Sequence, residues 1–359
     1  MMFGEIKKGM DRRSFFKWSG LSVLGLMIMD KIRPAIAGDA EDKKYWNDEG
    51  YFHQDNINVS EIDQGILKLK GLNLDGWKEY NVVYTDEWFP EWNFSERLER
   101  IQGMIDDPTK QPQWGGAHNP SVSSFGGVIP APDAFNRSQF RLNNAIKGMG
   151  LAPKASEIDR MIEEMYDLWD EDDTTRVLHL KDMYTNRDQW DMNKQISLEL
   201  YATPDRLTHS FINWMENPLA TISFMGLRMR FAFPPPGDPV PGPAPVWMPT
   251  YELRCAAHMI HPMDPDFGDD DYEFKLIKFS NTVHDFYHHS PGEPPPVRET
   301  MSIGVIHYIL EEFDNDFVGG KSKRVAMLRI LDWPRSLYAK VFGKTKQLFA
   351  KASRKSGVA

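Results

Sequence analysis

The chain has 359 residues, 41% of them hydrophobic and 26% charged, which is enough apolar material to bury one large core or two modest ones. Its formal net charge of −10 hides three regions, +4 over residues 1–37, −24 over the body and +10 over residues 321–359, and the acidic body excludes a nucleic-acid binder, which needs a basic face for phosphate. The single cysteine, Cys255, excludes an internal disulfide, a thiolate-held iron–sulfur cluster, a CxxCH haem attachment and a Cys-rich zinc site, and is expected as a small buried core residue.

The first predicted element is an export segment over residues 1–37. Asp11-Arg12-Arg13-Ser14-Phe15-Phe16-Lys17 resembles the S-R-R-x-F-L-K pattern of twin-arginine signals, with Arg12, Arg13, Phe15, Phe16 and Lys17 carrying the likeness; Asp11 stands where Ser or Thr is usual, and Phe16 where Leu is. Trp18–Met29 is a mostly apolar stretch of twelve residues, too short to span a bilayer core that takes about 20. Ala35-Ile36-Ala37 then supplies a small-x-small cleavage site at Ala35 and Ala37, and without cleavage the same segment serves as a membrane anchor. The resemblance implies the twin-arginine translocase as a partner, folding before export, and a periplasmic or otherwise extracytoplasmic location, peripheral on the outer face of the membrane if the chain stays attached. Export after folding raises the expectation of a bound cofactor or a partner subunit.

Residues 38–75 are polar and read as an extended, irregular arm. Glu79–Thr85 predicts a short strand, and Gln111–Pro132, with its Gly pairs and prolines, a long loop. In Ser156–Asp170 the residues Ile158, Met161, Ile162, Met165, Leu168 and Trp169 fall on one face of a 3.6-residue period, and Ser156 with Asp159 fits a capping box. A further helix is expected over Pro204–Trp214, and alternation over Leu227–Phe233 suggests a strand. Pro234–Pro249 holds eight prolines, so it is neither helix nor central strand and marks a candidate subdomain boundary.

Tyr251, Leu253, Cys255, Ala257 and Met259 alternate as a strand, and helices are expected over Asn281–His289 and Glu299–Phe313. Ser336–Ser353 reads as an amphipathic basic helix, suited either to an anionic membrane surface, to a partner's acidic patch, or to the acidic body itself. The fold class is α+β, a mixed sheet with flanking helices, Pro-rich connecting loops and an amphipathic basic C-terminal helix. The chain divides into the export segment 1–37, the arm 38–75, a first part of the body 76–233, the linker 234–249, a second part 250–320 and the tail 321–359.

Six of the ten histidines lie between His258 and His307. His284 with His288, and His307 with Glu311, are spaced i, i+4, which on two facing helices would offer four metal ligands. His258 and His261, at an odd spacing on a strand, would face opposite ways and not chelate jointly. No G-x-S-x-G, Walker loop or G-x-G-x-x-G stands in a strand–turn–helix context.

The Arg12–Lys17 motif, Tyr45-Trp46 ahead of Glu61-Ile62-Asp63, and Pro262-Met263-Asp264-Pro265 together resemble elements of the corrinoid-dependent reductive dehalogenases, over about twenty scattered residues. The resemblance implies an exported oxidoreductase with a corrinoid and a membrane-bound redox partner. The chain departs from that family in lacking its two Cys-rich motifs, so no iron–sulfur cluster is expected, and no catalytic residue carries over. The leading expectation is an exported redox-associated protein, reductive-dehalogenase-like, that binds a cofactor or serves as a subunit of a respiratory complex. The alternatives are a metal-binding enzyme using His284, His288, His307 and Glu311, and a non-catalytic accessory protein docked to a partner, or to the membrane, through residues 336–353.

Overall fold

The structure, a computed structural model, describes residues 45–71, 75–107, 116–126, 141–204, 206–226, 250–289, 292–314 and 323–324. The export segment with its cleavage site, the expected strand at 227–233, the Pro-rich segment 234–249 and the amphipathic segment 336–353 lie outside the described residues. The fold is α+β. A sheet of eight strands is flanked by helices, and a smaller sheet of three strands stands beside it.

The chain opens with the small sheet, β1 (Ile57–Asn58), β2 (Ile66–Leu69) and β3 (Lys78–Asn81), and then α1 (Trp88–Asp106). There follow β4 (Ser121–Phe125), β5 (Leu142–Ile146), β6 (Met149–Pro153), α2 (Ile158–Asp167), α3 (Asp173–Thr185) and β7 (Trp190–Glu199). The remainder is α4 (His209–Glu216), β8 (Leu219–Met225), β9 (Thr250–Ile260), α5 (Tyr272–His288), β10 (Ile303–Asp314) and the two-residue β11 (Lys323–Arg324). The large sheet runs β5-β4-β8-β9-β10-β7-β6, with β11 on the end of β10, and every pairing among the described strands is antiparallel rather than mixed.

Strand β9 sets the two faces. Its alternating Tyr251, Leu253, Cys255, Ala257 and Met259 are buried in a core shared with Phe211 and Trp214 of α4, as their period predicts. In the first half of β9 the other face is wetter, with Arg254 exposed; in the second half Ala256 and Ile260 join a separate core with Phe274, Ile277 and Phe279 of α5. Cys255 is buried, and burial pushes its thiol far up from its ordinary value. The strands β8 and β9, on either side of the Pro-rich segment, pair with each other, so that segment joins neighbours in one sheet and does not separate two sheets.

The expected helix over Glu299–Phe313 is strand β10. Ile303, Val305, Ile306, Tyr308 and Ile309 are all buried, because helices cover β10 on both faces. A strand buried on both sides has a continuous apolar run and loses the period of two, so spacing alone does not distinguish it from a helix. Its β-branched and aromatic content favours the strand. Helix α5 seats on β10 where Gly304 has no side chain: a Cβ there would lie 2.0 Å from Ile277 Cγ2 and 3.2 Å from Ile277 Cα. Gly304→Ala is expected to cost about 1–3 kcal/mol by overpacking. A urea midpoint equal to wild type would show that α5 does not sit there.

Other boundaries shift for local reasons. The stripe Ile158, Met161, Ile162 and Met165 is buried as expected, but α2 has Glu157 at its N-cap with no side-chain cap, and Ser156 Oγ donates to Glu157 Oε1 instead. Thr203 and Arg206 close a two-way backbone turn, which delays α4 until Thr208 caps it by accepting from Phe211 N at 3.1 Å. Helix α5 begins at Tyr272, well before Asn281. The expected loop 111–132 contains β4, whose Val122 and Ser124 point inward.

The expected arm is the largest change. Trp46 and Phe52 are buried against Phe211, and Leu67 and Leu69 are fully buried, so the described part of 38–75 belongs to the folded body. The strand expected at Glu79–Thr85 is β3 followed by an extended passage. There Val82 N donates to Gly65 O, Val83 N to Ile309 O and Thr85 N to Met192 O, carrying the chain from the small sheet to the large one.

Candidate metal-binding site

The four residues expected to share a metal do not come together. His284 and His288 do meet on the last turns of α5, with ring centroids 4.9 Å apart, and His284 Nδ1 lies 2.9 Å from Asp285 Oδ1. His307 is on the opposite side of the sheet from α5, facing α4, with Nε2 3.0 Å from Ser197 Oγ and its ring 5.6 Å from that of Trp214. Glu311 follows a β-bulge, and its Oε2 accepts from Arg254 Nη1 at 3.2 Å. Four residues of strand span about 13 Å, so the i, i+4 pairing of His307 with Glu311 vanishes once the helix becomes a strand.

A different set does converge. His53 Nδ1 lies 3.1 Å from Asp264 Oδ2 and 3.4 Å from Asp266 Oδ2, and all three ligand atoms fall within 4.8 Å of one another. Among the described residues this is the one group of three or more His, Cys, Asp or Glu with that property.

Each member is held by its neighbours in sequence. Phe52 is buried edge-on to Phe211 at 4.9 Å, and Gln54 is stitched to β9, its Nε2 donating to Ala257 O at 3.1 Å and its Oε1 accepting from Met259 N at 2.6 Å. His53 stands between these two anchors, on the outside. Asp264 and Asp266 lie in the turn that follows β9, where Asp264 N donates to His261 O at 3.0 Å and Asp264 Oδ1 accepts from Asp266 N at 3.1 Å. Pro262 and Pro265 fix φ on either side of Asp264.

The spacing suits an ion. Octahedral ligands at about 2.1 Å from a metal stand about 3.0 Å apart, and tetrahedral ligands at about 2.05 Å stand about 3.3 Å apart. The two His–Asp separations cover that range. The Asp264 side chain is 3% exposed, whereas those of His53 and Asp266 are 51% and 69% exposed, so an ion held here would keep solvent on its outer side.

The flanking histidines stay out of the ligand set, and apart from each other as their odd spacing predicts. His258 packs against Phe267, and burial, then the proximity of His53, pushes it down to about 3. His261 accepts from Met263 N at Nδ1, packs edge-on to Trp46, and is pushed down to about 4 by burial against the opposing pull of Asp264. Both are neutral at neutral pH, leaving His53 to face the two carboxylates.

Set against family models, curated proteins and solved structures, the chain matches none. Among the described residues no helix is long and apolar enough to cross a membrane.

Proposed function

We propose that this is a protein exported by the twin-arginine route that binds a first-row divalent metal ion through His53, Asp264 and Asp266. The observation that carries the reading is the convergence of one imidazole nitrogen and two carboxylate oxygens, from segments 211 residues apart, at ligand spacing. An imidazole with two carboxylates suits Mn²⁺, Fe²⁺ or Zn²⁺; copper(I) favours thiolate or thioether, and Ca²⁺ favours an all-oxygen shell. With solvent on its open side, such an ion would supply Lewis acidity to a bound water or substrate oxygen.

The test is titration of the chelator-stripped full chain with Zn²⁺ and Mn²⁺, followed by calorimetry and elemental analysis. One equivalent is expected to bind, and Asp264→Asn and His53→Ala should each weaken binding by about 100-fold or more, while His284→Ala leaves it unchanged. Stoichiometric binding that survives both substitutions, or no binding at all, sinks the reading.

The redox-associated, reductive-dehalogenase-like reading stands second, favoured by one observation. Two of the elements that carry the resemblance meet in the fold: the ring of Trp46 lies 5.2 Å from that of His261, which immediately precedes Pro262-Met263-Asp264. A corrinoid would give protein purified from its own host a visible absorption band, and colourless, cobalt-free material removes it. Export itself is tested by replacing Arg12 and Arg13 with lysine; undiminished secretion would end that part of the proposal.

A further inference from the structure

Helix α4 packs on the inner face of the large sheet, where Asn213 Nδ2 donates to Ser124 Oγ at 3.0 Å. Helix α5 packs on the outer face, over Ala256, Ile260, Ile306 and Tyr308. The rest of the outer face, on β5, β4, β8 and the first half of β9, is open. Cross-strand partners share a face, so Asn144, Ser123, Thr221 and Arg254 form one row across it. Phe125 lies opposite Leu142 in register, and Phe125, Leu142, Ile146 and Met225 are 39%, 66%, 59% and 52% exposed. Leu219, one residue beyond the Ser124–Ala220 pair, carries this apolar strip to the α5 core, against which it packs. Single exposed apolar side chains are ordinary; four on one sheet face, running into a core, mark a surface that something covers.

The charged corner of this face is acidic. Arg254 is shared by Glu252 at 3.0 Å and Glu311 at 3.2 Å, two carboxylates to one guanidinium, and it lies 4.4 Å from the centre of the Phe313 ring.

The chain itself leads to that corner. Phe313 and Asp314, at the end of β10, pair with Arg324 and Lys323 of β11, the last described residues. From Arg324 to Leu337 is thirteen residues, about 43 Å when extended, whereas β10 and β5 are four strand spacings apart, about 19 Å. Ser336–Ser353 then carries the apolar stripe Leu337, Val341, Leu348 and Ala352 beside Tyr338, Phe342 and Phe349. As a helix it would run about 27 Å, enough to cross the open strands. Its charge also fits, +10 over residues 321–359 against −24 over the body. The tether makes the encounter intramolecular, so docking needs no high concentration of a partner.

We propose that Ser336–Ser353 folds back onto the outer face of β5, β4, β8 and β9, its apolar stripe against Phe125, Leu142, Ile146 and Met225 and its lysines beside Glu252 and Glu311. The protein then covers its own sheet beside α5, and does not offer that face to a membrane or to a second copy of the chain. The metal ligands take no part.

The experiment reads the accessibility of a thiol on that face in the full chain. Ser223→Cys places one at an exposed position of β8, and the native Cys255, 1% exposed, does not compete. At low protein concentration and without lipid, a maleimide is expected to modify Ser223→Cys at least tenfold more slowly with the native tail than with Val341→Glu and Leu348→Glu, which put carboxylates into the apolar stripe. Ser156→Cys, at an exposed position ahead of α2, should react at the same rate with either tail. Equal rates at Ser223→Cys with the two tails overturn the proposal. So does protection that appears only with phosphatidylglycerol vesicles, or that grows with protein concentration, because the face would then belong to a membrane or to a second copy.

Discussion

Lys147→Met should cost about 3–5 kcal/mol, a large share of the roughly 5–15 kcal/mol that holds a domain together. Lys147 lies between β5 and β6, and Glu199 closes β7; their side chains are only 9% and 3% exposed. The ammonium also lies 5.1 Å from the centre of the Trp214 ring, so the lysine connects an edge of the sheet to the helix that covers it. Methionine keeps the length and the apolar stem but leaves the Glu199 carboxylate buried with only Thr208 to answer it. The double variant Lys147→Met with Glu199→Gln removes the charge and the partner together, and should recover most of the loss, since a buried ion pair roughly breaks even against a neutral pair of the same shape. Urea unfolding of the two single variants and the double at pH 7 measures the coupling. A single-variant cost below about 1 kcal/mol, or a double as unstable as the singles, would mean that solvent reaches the pair and screens it.

What could be read in the residues depended on how many faces of each element are covered. Helix α2 and the first half of β9 bury one side only, so Ile158, Met161, Ile162 and Met165, and Tyr251, Leu253 and Cys255, display the period of their element. Strand β10 is covered twice, its pattern becomes a continuous apolar run, and the helix expected there carried His307 and Glu311 into a metal site that a strand does not build. The chain around Trp46 and Phe52 was hidden in another way: its neighbours Asp48, Glu49, His53 and Asp55 are polar, and only the fold brings the two aromatics onto Phe211. His53 has no local spacing to Asp264 because the sheet, not a helix, brings them together. The signal at hand was Asp264 and Asp266, two positions apart in a Pro-flanked turn after a strand, of which Asp264 entered the reading only through the resemblance and Asp266 did not enter it.

Lowering the pH from 7 to 5 should destabilise the fold by about 4 kcal/mol through His258 and His307 alone. Burial holds both at about 3, against 6.5 for the free side chain. Well above pH 6.5 neither the folded nor the unfolded chain binds these protons, and the two histidines leave stability unchanged. Between 6.5 and 3 the unfolded chain takes them up while the folded chain does not, so stability falls as pH falls, by about 1.4 kcal/mol per unit for each histidine. His261, held at about 4, adds a smaller loss of the same sign. Most carboxylates change state below this window, so histidine dominates within it. Urea midpoints at pH 7, 6 and 5, with a chelator present so that proton competition at the metal ligands does not enter, measure the slope. His307→Leu, although less stable at pH 7, should lose about half of the pH dependence assigned to the buried pair. A midpoint that holds constant from pH 6.5 to 5 would require both imidazoles to take up protons in the folded state, which is incompatible with the burial of His258 at the foot of β9 and of His307 beneath Trp214.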